Sequence, residues 1–131
     1  MNERQKHTLA VAERYVDLYN TDPERFVREC YHDDYEVGAM GIGTYGGVDK
    51  FIAIERAVLA AAPKRKMQVL NIHVTDEVAV VEAAVVDPDR GADWSLPFCA
   101  VLEIRDDKIA VDRTYAEFAN WPGLSVEPPS K

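Results

Sequence analysis

Residues 66–118 read KMQVLNIHVTDEVAVVEAAVVDPDRGADWSLPFCAVLEIRDDKIAVDRTYAEF. Four runs rich in Val, Ile, Leu and Phe stand here, KMQVLNIHV, EVAVVEAAVV, LPFCAVLEI and KIAVDRTYAEF. They are separated by DEV, DPDRGADW and RDDK, which carry the Asp, Pro and Gly of turns, so the stretch predicts four consecutive strands. Upstream the pattern changes period. At 100° per residue, Leu9, Val11, Ala12, Tyr15, Val16, Leu18 and Tyr19 fill one half of a wheel, and Glu13, Arg14, Asp17 and Asn20 the other. That predicts an amphipathic helix over about residues 4 to 20. TDPERF opens a short second helix: Asp22 suits the N-cap and Pro23 the first helical position, and Thr21 with Glu24 has the form of a capping box. A third helix is predicted from about Val48 to Ala62, with Phe51, Ile54 and Val58 on its apolar side and Pro63 ending it. Helices followed by consecutive strands mean an α+β fold with an antiparallel sheet.

The chain has 131 residues, enough for one domain, expected over 1–123 with a frayed polar tail at 124–131. Lys and Arg number 15 against 23 Asp and Glu, a formal net charge of -8. An acidic surface repels phosphate backbones and anionic headgroups, so neither nucleic acid nor membrane is an expected partner. The basic run Lys64-Arg65-Lys66 is read as complementing the dipole at the end of the third helix. Cys30 and Cys99 form no disulfide framework and match no metal spacing, so free thiols in a reducing cytoplasm are expected. No signal peptide is visible, and no apolar run approaches a membrane span.

Four stretches carry chemistry-bearing residues. GIGTYG, with Gly41, Gly43 and Gly46, imitates a dinucleotide fingerprint. The strand before it lacks the apolar run of a buried parallel strand, and glycines of a bent loop are the better reading. CYHDDYE gathers Cys30, His32, Asp33, Asp34 and Glu36, but adjacent Asp residues point in divergent directions, and a solvated turn is preferred to a metal site. Glu82 stands alone in VAVVEAAVV, both faces of which read as apolar, so a strand in mid-sheet covered on each side is expected. A carboxylate there must be paired, with Arg113 or His73, or else face a wet cavity. On the last strand Asp112 and Thr114 share one face, and Arg113, Tyr115 and Glu117 the other. Alternation alone does not say which face lines the interior.

The order helix, short helix, glycine-rich segment, helix and strand meander resembles the nuclear-transport-factor-2-like superfamily, and within it the SnoaL-like branch. The resemblance spans about residues 5 to 123 and is carried by ERYVDLYNTDPERF, YHDDYEV, LPFCAVLEIRDDKI and DRTYAEFANWPGL. It implies a cone: a strongly curved, mostly antiparallel sheet wrapped round the long helix, enclosing an apolar pocket that Phe118 to Trp121 would close. It also implies pairing of two chains through the outer face of the sheet, and no metal, nucleotide or flavin cofactor.

The relatives' catalytic residues transfer only in part. The aspartate base of the family's polyketide cyclases falls on Thr114, with Asp112 one step away on the same face. The steroid isomerases' helix-one tyrosine falls in register on Tyr15. Their base falls on Ala39, and their second acid on Cys99 or Ala100. One aspartate of the limonene-type epoxide hydrolases again falls on Thr114, while their arginine and other aspartate should lie where only Glu82 is charged. Neither of these last two mechanisms is expected. What the resemblance implies is a pocket for a small apolar ligand, with Asp112 first and Glu82 second as candidate base and Tyr15 as oxyanion donor. Tyr19, Thr114, His73 and Cys99 are candidate ligand contacts. A non-catalytic binding or dimerisation module is the alternative.

Overall fold

Asn2 begins the first helix with a reciprocal cap: its side chain accepts from the Gln5 amide at 2.8 Å, and the Gln5 side chain accepts from the Asn2 amide at 3.1 Å. The computed structural model describes residues 1–39, 43–45 and 47–124, with side chains for 1–35 and 47–124. Helix α1 (Glu3–Thr21) buries Thr8, Val11, Ala12, Tyr15, Leu18 and Tyr19; Leu9 and Val16 of the predicted half of the wheel are only half-buried, and Thr8 is added. Thr8 is accommodated because its hydroxyl donates to the Asp76 carbonyl at 2.8 Å. Asp22 caps α2 (Pro23–Cys30) by accepting from the amides of Glu24 and Arg25. The capping box expected of Thr21 and Glu24 does not form, because the Thr21 hydroxyl donates back to the Asp17 carbonyl.

A six-stranded sheet follows, in the order β2-β1-β6-β5-β4-β3. Its strands are β1 (Tyr31–Ala39), β2 (Gly43–Tyr45), β3 (Lys66–Val74), β4 (Val78–Val86), β5 (Ser95–Arg105) and β6 (Lys108–Ala116). β3 to β6 form the antiparallel meander read from the sequence, while β1 runs parallel to β6. The sheet is therefore mostly antiparallel and the fold is α+β. Register shifts in β3 between Val69 and Asn71 and in β6 before Val111 mark bulges, which bend the strands. Gly43 lies in β2, and the rest of the expected glycine loop, Gly41 and Gly46, lies outside the described residues.

Helix α3 (Val48–Ala61) lies beside α2 and buries Phe51, Ile52 and Val58. α1 crosses the inner face of β3, β4 and β5. Strand β5 alternates without fault, with Leu96, Phe98, Ala100, Leu102 and Ile104 turned towards the helices. After β6 a 3-10 turn (Phe118–Asn120) leads to Trp121, and the chain then comes back over α3. Gly123, at φ +78, lies so close that a Cβ would meet the Ala57 carbonyl oxygen at 2.6 Å. Only glycine allows that approach.

Candidate active site

Asp112 settles which face of β6 is inside. Its register partner on β5 is Leu102, that of Thr114 is Ala100, and all four side chains are buried. One carboxylate oxygen of Asp112 accepts from the Tyr31 hydroxyl and the other from the Thr114 hydroxyl, each at 2.6 Å. Burial raises the Asp112 pKa above the ordinary carboxylate value, and the Thr114 and Tyr31 donors oppose that rise.

Asp112 borders a cavity of about 50 Å³ between the sheet and the helices. That is several times the ~10–15 Å³ a single water requires. Tyr15 and Tyr19 reach it from α1, and Phe26 from α2. The Phe26 ring packs against those of Tyr15, Tyr19 and Tyr31, each at 5.4 Å between centroids. Burial, and then the charge of Asp112, hold the Tyr15 and Tyr31 hydroxyls protonated by raising both pKa values well above the phenol value. Phe118 and Trp121, stacked at 5.6 Å, close the cavity from the C-terminal side. Their position puts the aromatic end of DRTYAEFANWPGL over the cavity.

Two residues that sequence reasoning missed also belong here. Glu55 lines the cavity from α3, and its Oε2 is buried without a hydrogen-bond partner among the described residues. Burial pushes its pKa up to about 7; the nearby Asp112 charge adds to the rise, and Arg65 opposes it. Arg65 is itself buried, with its guanidinium carbon 4.1 Å from the centre of the Tyr19 ring. Of the basic run read as complementing the helix dipole, Lys64 reaches Asp89 at 3.2 Å and Arg65 turns inward.

Glu82, His73 and Cys99 are not brought to the cavity. Ala79, Val81, Ala83 and Val85 take the inner face of β4, so the pleat places Glu82 outside, opposite Cys99 on β5. There Glu82 pairs with His73 at 2.6 Å. The outer face of β4 is only half-buried, which corrects the expectation of a strand covered on both sides. Arg113, the other candidate partner of Glu82, pairs with Glu103. In CYHDDYE, Cys30 is buried, His32 bonds the Arg105 carbonyl and Asp34 pairs with Arg105 at 3.1 Å. No metal-holding group of three such side chains occurs among the described residues.

A larger groove, of about 750 Å³, lies at the opposite end, between the start of α1 and the hairpin turns. Arg4, Asp76 and Glu77 line it as exposed, mutually paired charges. Such solvated pairs neither shift nor position a catalytic group, so the smaller cavity is the candidate site.

The family model for the SnoaL-like domain matches residues 12–111, which include every strand except part of β6. The chain belongs to the SnoaL-like family. No curated protein matches it significantly. Among solved structures, this SnoaL-like chain is similar to a Jannaschia sp. CCS1 protein assigned as a SnoaL-like polyketide cyclase, with TM-score 0.76 and 14% identity over 98% of each chain. A Catenulispora acidiphila protein of ketosteroid-isomerase-like fold, solved in complex with trimethylamine, gives TM-score 0.73 and 16% identity, covering 94% of this chain and 99% of that one. IdmH from Streptomyces antibioticus, assigned as a polyketide cyclase, gives 0.72 and 12%, covering 87% and 94%. At such identities the likeness is one of fold.

Proposed function

We propose that this SnoaL-like protein binds a small, mostly apolar carbonyl compound in the cavity and catalyses a proton transfer on it, the first step of an isomerisation or cyclisation. The observation that carries this reading is Asp112, a carboxylate buried at the cavity wall and held by two hydroxyl donors. Each oxygen accepts one hydrogen bond, which leaves lone pairs for a substrate C–H. An apolar setting strengthens such a base, because its charged form is the costly one. In the step, the C–H bond beside the carbonyl breaks and its proton goes to Asp112. The electron pair moves into a new C=C bond as the carbonyl becomes an enolate oxygen. Tyr15, buried and protonated on the cavity wall, donates to that oxygen. The assignment of two relatives of this fold as polyketide cyclases supports the same class of chemistry.

The test is exchange of the α-hydrogens of cyclopentanone into heavy water, followed by proton NMR. The wild type should speed exchange, and Asp112→Asn should lose at least about a hundredfold of that rate. Exchange no faster than buffer would leave a binding module, and equal rates for both proteins would remove Asp112 as the base.

We also propose that a second copy covers the outer face of the sheet. Val80 and Val101 are half-exposed neighbours there, and Tyr115, 44% exposed, lies opposite Cys99 on the same face. Half-exposed apolar side chains set among the Glu82–His73 and Arg113–Glu103 pairs give a mixed surface that suits association of two copies.

A further inference from the structure

Within the cavity, Asp112 has its hydrogen bonds supplied by the protein, whereas Glu55 does not. Glu55 lines the enclosed space, and its buried Oε2 has no hydrogen-bond partner among the described residues. A buried polar atom left unsatisfied is costly, so an unpartnered carboxylate oxygen on a residue of the cavity wall points to a ligand that satisfies it. The two carboxylates come from different elements, α3 and β6, and border the same space.

We propose that Glu55 is a second proton-transferring residue, acting on the substrate oxygen while Asp112 acts on carbon. This rests on the proton-transfer reading above. As Asp112 takes the proton from carbon, the O–H bond of the Glu55 carboxyl breaks and its proton goes to the carbonyl oxygen, giving a neutral enol. Return of the Asp112 proton to the same carbon or to a conjugated one, with return of the enol proton to Glu55, restores both groups. Glu55 becomes a carboxylate during the step, and the Arg65 charge stabilises it. Arg65 does not line the cavity and is a positioning residue.

The groups facing Glu55 allow this division of labour. Burial disfavours its anion and Arg65 favours it, while Asp112 adds to the effect of burial, so Glu55 carries its proton up to about neutrality. Tyr15, Tyr19 and Tyr31 face the same cavity, and α2 contributes only the uncharged Phe26. Two carboxylates in one site, Asp112 supplied with two hydroxyl donors and the Glu55 Oε2 with none, are set in different environments and can divide the roles of base and acid.

The experiment is the pH profile of cyclopentanone exchange for the wild type, Glu55→Gln and Asp112→Asn. A parallel carbon-13 titration follows the Glu55 carboxyl of the wild type with and without phenol, a planar enol mimic. The wild-type rate should fall above about pH 7. Glu55→Gln should be slower by roughly a hundredfold and lose that falling limb, since an amide donates a hydrogen bond but transfers no proton. Saturating phenol should move the Glu55 carboxyl resonance and its titration midpoint. A Glu55→Gln profile matching wild type, with Asp112→Asn inactive, overturns the role of Glu55 and leaves Asp112 as the base. An active Asp112→Asn overturns the underlying proton-transfer reading instead. A Glu55 resonance indifferent to phenol overturns the inference even if Glu55→Gln fails to fold or no ketone exchanges.

Discussion

Tyr31 and Asp112 are 81 positions apart and meet at 2.6 Å in the interior. Removing the donor in Tyr31→Phe leaves Asp112 with Thr114 alone, and the expected loss is about 1–3 kcal/mol in urea unfolding. An unchanged midpoint would mean that water or Tyr15 replaces the bond. Glu55 has the opposite pH signature from a salt-bridged acid. Its folded pKa of about 7 lies above the reference 4.5, so between those values the native state binds more protons than the unfolded chain. Its contribution is fully present below pH 4.5 and declines as pH rises towards 7, by of the order of 3 kcal/mol. Glu55→Gln should flatten the stability curve across that window, and parallel curves would contradict the burial of Glu55. Asp112 was legible as a candidate because a polar residue alternates with apolar ones on β6. Glu82 was misplaced because both parities of VAVVEAAVV are apolar, and alternation then gives no direction. Glu55 did leave a trace: Phe51, Glu55, Val58 and Ala62 follow the 4-3-4 spacing of one helix face, so the acid stands in the middle of the buried stripe.

The closing segment over α3 makes its own prediction at the scale of elements. A Cβ at position 123 would lie 2.7 Å from the Val58 Cα, at a φ that L-residues adopt with strain. Gly123→Ala should therefore destabilise by roughly 2–4 kcal/mol and lift Trp121 from the cavity, read as a lower Tm with a red-shifted tryptophan emission. A neutral substitution would mean the segment does not bear on α3. The strands of the meander and the start of α2 were legible because turn residues and an Asp-Pro cap act locally. The parallel pairing of β1 with β6 was not, since its register joins residues such as Val37 and Asp112, far apart in sequence. The inward turn of Arg65 was hidden for a related reason: local charge gives no sign of the Tyr19 ring that receives it.

For the molecule as a whole, the helices and the inner face of the sheet build the core, while the outer face of the meander stays half-exposed. If a second copy covers that face, Val101→Glu should shift the mass seen by light scattering from dimer to monomer without changing the fold. A wild type that stays monomeric at every concentration would contradict the proposed pairing. No helix among the described residues is long and apolar enough to cross a membrane. The α+β class and the SnoaL-like family were readable from the order of elements, because that order constrains topology more strongly than any single motif. The acids bordering the cavity were readable only in part: Asp112 stood one step from Thr114, which holds the family's base position, whereas Glu55 was not singled out.

The most direct test of the central claim, that the small cavity is where a ligand meets both acids, is a crystal structure of the protein soaked with phenol. The ring is expected among Tyr15, Phe26 and Trp121, with its oxygen at hydrogen-bond distance, about 3 Å, from Glu55 and its edge against Asp112. Phenol bound only elsewhere, with the cavity closed around its own side chains, would contradict it.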